Sequence, residues 1–542
     1  MAHLRISVGF AAAALLALPI QSGTQADTGA KIVEEVDFVT SCNPAVQDTF
    51  KHAVWTLHSF WYPEALKDFT AVTEADPDCA MAYWGIAMSH WYPLWFPPSP
   101  AALKAGSEAV EKAMAAPTKT EREKDYIAAI AAFYRDNDKL DHRTRAGAYE
   151  KAMEQVYLKY PEDPEAGVFY ALALNATALP TDKTFANKRK AAEILDKVWK
   201  EQPNHPGVVH YLIHSDDSPQ LAQAGLDAAI CYAKIAPDVP HALHMPSHIF
   251  TRLGMWQESI DSNRAANAAA LAYVRKSLGP DGFDGETVHT MDYLEYAYLQ
   301  TAQDHQAKEV VDELMSFRKG DNPNLPMAYA VAAIPVRFAL ERRDWQTAAA
   351  LSPPQIGFPL ERFPWAEAMI SFGRALGEAR TGNITGAQAE IANLQSLKDQ
   401  LVAAKDTYWA NQVEVLRLSA AGILARVQGD DTKAVELVRA AADLDATMDK
   451  HPATPSSVLP ARELLGDLLL ELHQPAAALT EYKEMLRTDP NRFRSILGEA
   501  RAAKQSGDAA AAHDAYDKLV ALSKPTGPER PELAEAKAYL TN

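Results

Sequence analysis

Residues 464–490 read LLGDLLLELHQPAAALTEYKEMLRTDP, and the organisation of the chain follows from where the small and aromatic residues fall in them. Leu465-Gly466, Ala478, Tyr482 and Pro490 have the spacing of a helix–turn–helix unit. The next unit repeats the pattern with Ala500, Gly507, Ala512 and Tyr516: Gly466 to Ala500, Ala478 to Ala512 and Tyr482 to Tyr516 are each 34 residues apart. Small residues at these points let two helices pack closely, the aromatic fills the space between units, and the proline closes each one.

The same phase returns near the other end of the chain. Ala65, Phe69 and Pro77 match a second helix and its closing proline, and Tyr83 and Ala87 fit the first helix of the following unit. Together these residues resemble the tetratricopeptide repeat (TPR) family. The resemblance implies an all-α, right-handed α-solenoid of helix–turn–helix repeats with an extended concave surface. Between the two ends, helices are expected over Glu121 to Tyr134, Arg143 to Tyr160, Pro164 to Leu179, Arg189 to Glu201, Pro326 to Arg342, Pro364 to Arg380 and Asp406 to Gln428. Pro and Gly mark breaks at Trp91 to Pro100, Leu278 to Glu286, Ser352 to Pro364 and Pro452 to Pro460. The last of these is read as a hinge between a solenoid over 27–451 and C-terminal repeats over 461–542.

Composition bounds the function. The 542 residues are 48% apolar and carry a net charge of −18 without a basic tract, so phosphate-backbone and anionic-membrane binding are poor expectations. His3 and Arg5 followed by an apolar stretch from Val8 to Ile20, with Thr24-Gln25-Ala26 before Asp27, read as a signal peptide over 1–26. That stretch is too short for a span, and no other is long enough, so the expected location is periplasmic or secreted. In an oxidising compartment a disulfide is reasonable. Repeat phase puts Cys42 and Cys79 before the first helices of successive units, which makes them the expected pair against the alternative of two free thiols; Cys231 lies in an apolar helical stretch and is expected to be buried.

Seven of the 16 histidines fall between 205 and 289: His205, His210, His214, His241, His244, His248 and His289. His210-Tyr-Leu-Ile-His214 and His244-Met-Pro-Ser-His248 are both i, i+4 pairs, so each puts two rings on one helix face, and the two pairs are 34 residues apart. Counted in repeat phase, His210 and His214 take positions 5 and 9 of one first helix, His244 and His248 the same positions of the next, with His241 at position 2. After an insert, His289, Asp292 and Tyr296 take positions 2, 5 and 9 of a third. In the TPR family these positions line the groove, so the resemblance implies that the rings face it. Pro246 inside the second pair allows that helix to kink, or to begin there and leave His241 and His244 on a loop.

Imidazoles converging from neighbouring helices suit a transition metal: Cu, Zn, Fe or Ni. The expected ligands are His210, His214, His244 and His248, completed by His289, Asp292 and His241. Asp216, Asp217 and Glu258 are candidates to orient the rings through their other N–H. No Glu lies inside either His motif, so the His-Glu-x-x-His protease mechanism does not apply. His52, His58 and His90 sit among Trp55, Trp61, Trp84, Trp91 and Trp95 and read as an aromatic end-core. Asp281 to Glu286 lacks the alternating acids of an EF-hand and reads as a flexible insert. Three functions remain open: an exported protein whose groove holds a metal, a metal-free scaffold for a peptide or protein partner, and a metal-dependent enzyme acting on a small molecule.

Overall fold

The computed structural model describes residues 36–541 apart from 95, 96, 118, 119 and 322. The proposed signal peptide lies outside the described residues. Within them the chain is mostly α-helical, with two 3-10 turns, Pro44–Val46 and Leu360–Arg362, and a parallel pair of two-residue strands, Gly282–Phe283 with Lys319–Gly320. No helix among them is long and apolar enough to cross a membrane.

The expected helices form with ends shifted by three residues or fewer: Glu121–Tyr134, His142–Lys159, Pro164–Thr177, Ala186–Glu201, Leu325–Glu341, Pro364–Thr381 and Thr407–Val427. Successive helices pack as antiparallel pairs, building the TPR-like α-solenoid. The repeat residues act as their spacing implied. The Tyr482 ring lies between helices Ala461–Glu471 and Phe493–Gln505, so close that a Cβ on Gly466 would come within 2.8 Å of it and one on Gly498 within 2.2 Å. Phe69 presses on Gly85 in the same way. The turn inside the repeats takes one residue of positive φ, supplied by Gly254, Gly382, Gly429 and Gly507 in some units and by Phe60, Ala302, Arg343 and His473 in others. Cys42 and Cys79 are bonded to each other, whereas Cys231 is half-buried, not buried.

The breaks are packed structure. Trp91 is buried against Phe133 and Tyr149, and Phe283 stacks on Phe317 at 5.1 Å, which ties down the insert read as flexible. The stretch read as a hinge is also held. Tyr293 donates to the Thr454 carbonyl at 3.0 Å, and Tyr329 and Arg337 donate to the Ser456 carbonyl at 2.7 and 3.3 Å. This strap crosses the inner side of the central helices because the C-terminal repeats fold back on them. Trp256 Nε1 donates to Asn491 O at 2.8 Å, Asn491 Nδ2 to Gly254 O at 3.1 Å, and Lys524 N to Thr301 O at 2.8 Å. Buried Arg492 joins Glu341, Glu463 and Tyr296 across the same junction. Sequence periodicity describes the single repeat and is silent on how tightly successive repeats curl. That curl turns an open groove into an interior.

Candidate metal centre

Three consecutive first helices carry the histidines. Pro206–Asp216 starts with proline at its first position, where no N–H is needed, and the ring of His205 caps it by accepting from Val208 N at 3.3 Å. Gly207 allows close approach to His58: a Cβ there would lie 2.5 Å from its Nδ1. The second helix runs through two segments, Pro240–His244 and Pro246–Arg252. Met245 between them keeps helical dihedrals and its N–H donates to His241 O at 2.9 Å, so the chain runs helically through Pro246 and His241 and His244 do not sit on a loop. The third, Gly285–Gln300, is capped by Asp284, whose Oδ1 accepts from Thr287 N at 2.8 Å.

Six rings meet as two trios. In the first, His210 Nε2 is 3.1 Å from both His214 Nε2 and His241 Nε2. In the second, His244 Nε2 and His248 Nε2 are 3.0 Å apart, and His289 completes the group, its ligand atoms all within 4.8 Å. The composition follows one rule: positions 5 and 9 of one repeat are joined by position 2 of the next. His241 stands 31 residues after His210, and His289 stands 45 after His244, the insert supplying the difference. The trios adjoin, with His214 facing His248 and His241 facing His244 at 6.1 Å between ring centres in both cases.

The other ring nitrogens decide what the inner ones are. His210 Nδ1 donates to the His58 carbonyl at 2.6 Å, and His241 Nδ1 faces Glu286 Oε2 at 3.3 Å. His244 Nδ1 donates to Asn263 Oδ1 at 2.6 Å, the amide being oriented by its own Nδ2 donating to Ser259 O at 2.7 Å. His248 Nδ1 donates to Asp217 Oδ2 at 3.0 Å. In a neutral imidazole one nitrogen carries the proton and the other a lone pair. With Nδ1–H committed outward, the Nε2 atoms of His210 and His241, and likewise of His244 and His248, turn lone pairs toward each other at 3.0–3.1 Å. Two lone pairs at that distance repel unless a cation lies between them. An ion bound at about 2.0–2.1 Å holds two imidazole nitrogens about 3.1 Å apart at an angle of about 100°.

Protonation of His210, His214, His244, His248 or His289 does not supply the cation. Burial, reinforced by neighbouring rings, holds His210, His214, His244 and His289 well below the ordinary imidazole range. Burial also takes His248 down to about 4, against the pull of Asp217. Burial alone would raise Asp217, but Lys450, Arg252 and the His248 bond outweigh it and keep the carboxylate charged. Phe60 packs 4.4–5.7 Å from the rings of the first trio, and Tyr293 lies 4.8–5.3 Å from those of the second.

Several expected placements differ. All six histidines are buried, so they do not form an open groove wall: the strap and the N-terminal repeat cover them. Asp292 lies outside both trios, bound to the buried guanidinium of Arg337 together with Glu295. Of the three acids proposed to orient rings, Asp217 contacts one, Glu258 is exposed, and Asp216 is buried and pushed up to about 7 by burial and the nearby Asp196. His58 is more than end-core packing. Its Nε2 bonds Glu165 Oε2 and its Nδ1 bonds Tyr211, while His205 Nε2 bonds Glu165 Oε1, each at 2.9–3.0 Å. This fully buried network fixes the segment whose carbonyl orients His210. Sequence reasoning missed it because His58 is 107 residues from Glu165 and 153 from Tyr211, so neither His58 nor His205 pointed to its partners.

No protein-family model matches the chain, and no curated protein matches it. Among solved structures, similarity is found to a tetratricopeptide repeat protein from Parabacteroides merdae, 12% identical, with 56% of this chain and 99% of that one covered and a TM-score of 0.29. Human IFIT1 dimers are also similar: with PPP-AAAA at 12% identity, coverages of 89% and 96% and TM-score 0.36, and with m7Gppp-AAAA at 12%, 82% and 90%, and 0.38.

Proposed function

We propose that this protein binds two transition-metal ions side by side, one on His210, His214 and His241 and the other on His244, His248 and His289. The observation that carries this reading is the pair of 3.0–3.1 Å contacts between Nε2 atoms whose Nδ1 protons are already donated outward. Three nitrogens leave at least one coordination position open on each ion, the arrangement of sites that bind an exogenous ligand instead of only holding the fold together. A helical repeat scaffold suits this, since translation by one repeat places equivalent ligands at neighbouring junctions. We further propose that the chain is exported. The Cys42–Cys79 bridge supports a location outside a reducing cytosol.

The test is elemental analysis of protein purified from metal-replete culture. Two ions per chain are expected, one lost in the His210→Ala/His214→Ala variant and the other in His244→Ala/His248→Ala. Wild-type protein without stoichiometric metal, or variants that keep both ions, would refute the assignment.

A further inference from the structure

Resting on that reading, we infer that the two ions are copper and that the pair binds one dioxygen molecule between them. The argument begins with charge. Imidazole binds a metal in its neutral form, so the six ligands bring no charge; Asp217 is paired with Arg252 and Lys450, Asp292 and Glu295 share Arg337, and Glu286 beside His241 Nδ1 adds one carboxylate. Two divalent ions would put four positive charges into a fully buried space, and desolvation cost rises with the square of ionic charge. Two copper(I) ions bring half that charge. Copper(I) accepts three ligands in a trigonal arrangement, and imidazole suits copper.

The same charge condition selects the ligand that allows oxidation. Each copper(I) gives one electron to dioxygen, and the two electrons reduce it to a peroxide dianion. Two copper–oxygen bonds form, the O–O bond falls from double to single order, and no proton is required. The pair is then two copper(II) ions bridged by a dianion, with a net charge of +2 before and after. Loss of dioxygen reverses every step. A neutral ligand such as water leaves the oxidised pair with four positive charges, which the buried setting opposes.

Geometry agrees. Rings of the two trios face each other at 6.1 Å, compatible with one small bridging ligand, and two-metal sites place their ions about 3.5–4 Å apart. A cavity of about 10 Å³ opens between His214, His248 and His289 and is closed by Leu94, Pro452 and Ala453. That is at the lower limit of the room one water needs, about 10–15 Å³, so only the smallest ligands can enter. Its outer wall is apolar, which admits dioxygen and disfavours ions.

The experiment loads the purified full chain with copper(I) without oxygen, then admits dioxygen. The expected result is two copper ions per chain and one dioxygen taken up per two coppers. An intense near-ultraviolet charge-transfer band should appear with no copper(II) paramagnetic resonance signal, because the two spins couple through the bridge, and vacuum should reverse it. A resonance signal accounting for two separate copper(II) ions, or no uptake, would overturn the inference. His289→Ala should abolish uptake completely while keeping the first copper; half the uptake would argue against a shared ligand. The wild-type stoichiometry and spin measurements stand whether or not that variant folds. Two zinc ions with copper refused would sink the copper–dioxygen assignment and leave the metal centre standing, whereas no bound metal of any kind removes both.

Discussion

Replacing Asp217 by Asn and by Ala separates the hydrogen bond that orients His248 from the charge behind it. Asp217 Oδ2 accepts from His248 Nδ1 and from Lys450 Nζ, both at 3.0 Å, and Oδ1 accepts from Arg252 Nε at 2.8 Å. An Asn whose oxygen takes the Oδ2 place keeps the first two bonds and turns its amide toward Arg252, which still has Asp449 at 3.1 Å. Removing an orienting partner lowers metal affinity about 10–100-fold, or about 1.4–2.7 kcal/mol. Asp217→Asn belongs near the lower figure and Asp217→Ala near the upper one. Stability follows the same order: a polar group left unmatched costs about 1–3 kcal/mol for Asn, and a broken buried ion pair about 3–5 kcal/mol for Ala. Competition against a chromophoric chelator reads the affinities, with His210→Ala/His214→Ala as background so that only the second trio binds. The first trio, measured in His244→Ala/His248→Ala, should change less than about threefold, since none of its rings touches Asp217. Equal weakening of both trios, or full affinity in Asp217→Ala, would refute the reasoning.

Other expectations concern the scaffold. The neutral burial of His210, His214, His244, His248 and His289 has a sign: below pH 6.5 the unfolded rings bind protons that the folded ones refuse. Metal-free protein should therefore lose stability as pH falls from 6.5 to about 4, where His248 titrates, and gain nothing from these groups above 6.5; urea midpoints across the range check this. Opening the Cys42–Cys79 bridge, which spans 37 residues, should cost about 4 kcal/mol by chain entropy, read as a lower Tm under reductant with metal content unchanged. Gly498→Ala should destabilise by about 1–3 kcal/mol because its Cβ meets Tyr482, whereas Gly147→Ala, in a helix with open space around it, should stabilise by about 0.5–1 kcal/mol. Thermal melts of the two side by side test the sign.

The fold was legible where its signal is local. Gly466, Tyr482 and Ala500 encode contacts within a unit or between adjacent ones, so their spacing carries them. The histidines were legible as faces for the same reason: i, i+4 spacing and a 34-residue shift leave little freedom in where the four rings of His210, His214, His244 and His248 point. Which ring joins which trio was not legible. That depends on the offset between neighbouring helices, and the structure resolves it by pairing position 2 with the preceding positions 5 and 9. The expectation of an open groove failed at longer range. Trp256 meets Asn491, and His58 meets Glu165 and His205, across separations where periodicity holds no information. Asp292 shows the limit most clearly. Its position matches that of His210 and His244, yet its partner is fixed by a buried arginine 45 residues on, which no repeat rule anticipates.

Each trio draws two side chains from one repeat and the third from the next, and this bears on how the array comes apart. In a one-dimensional chain of repeats, stability divides into a part intrinsic to each unit and a part belonging to each junction. His241 and His289 contribute to the second part. A ligand held by either trio therefore strengthens the coupling between neighbours and leaves each unit by itself as weak as before. Loading the site should lengthen the block of repeats that melts together, so the unfolding transition sharpens as well as rises.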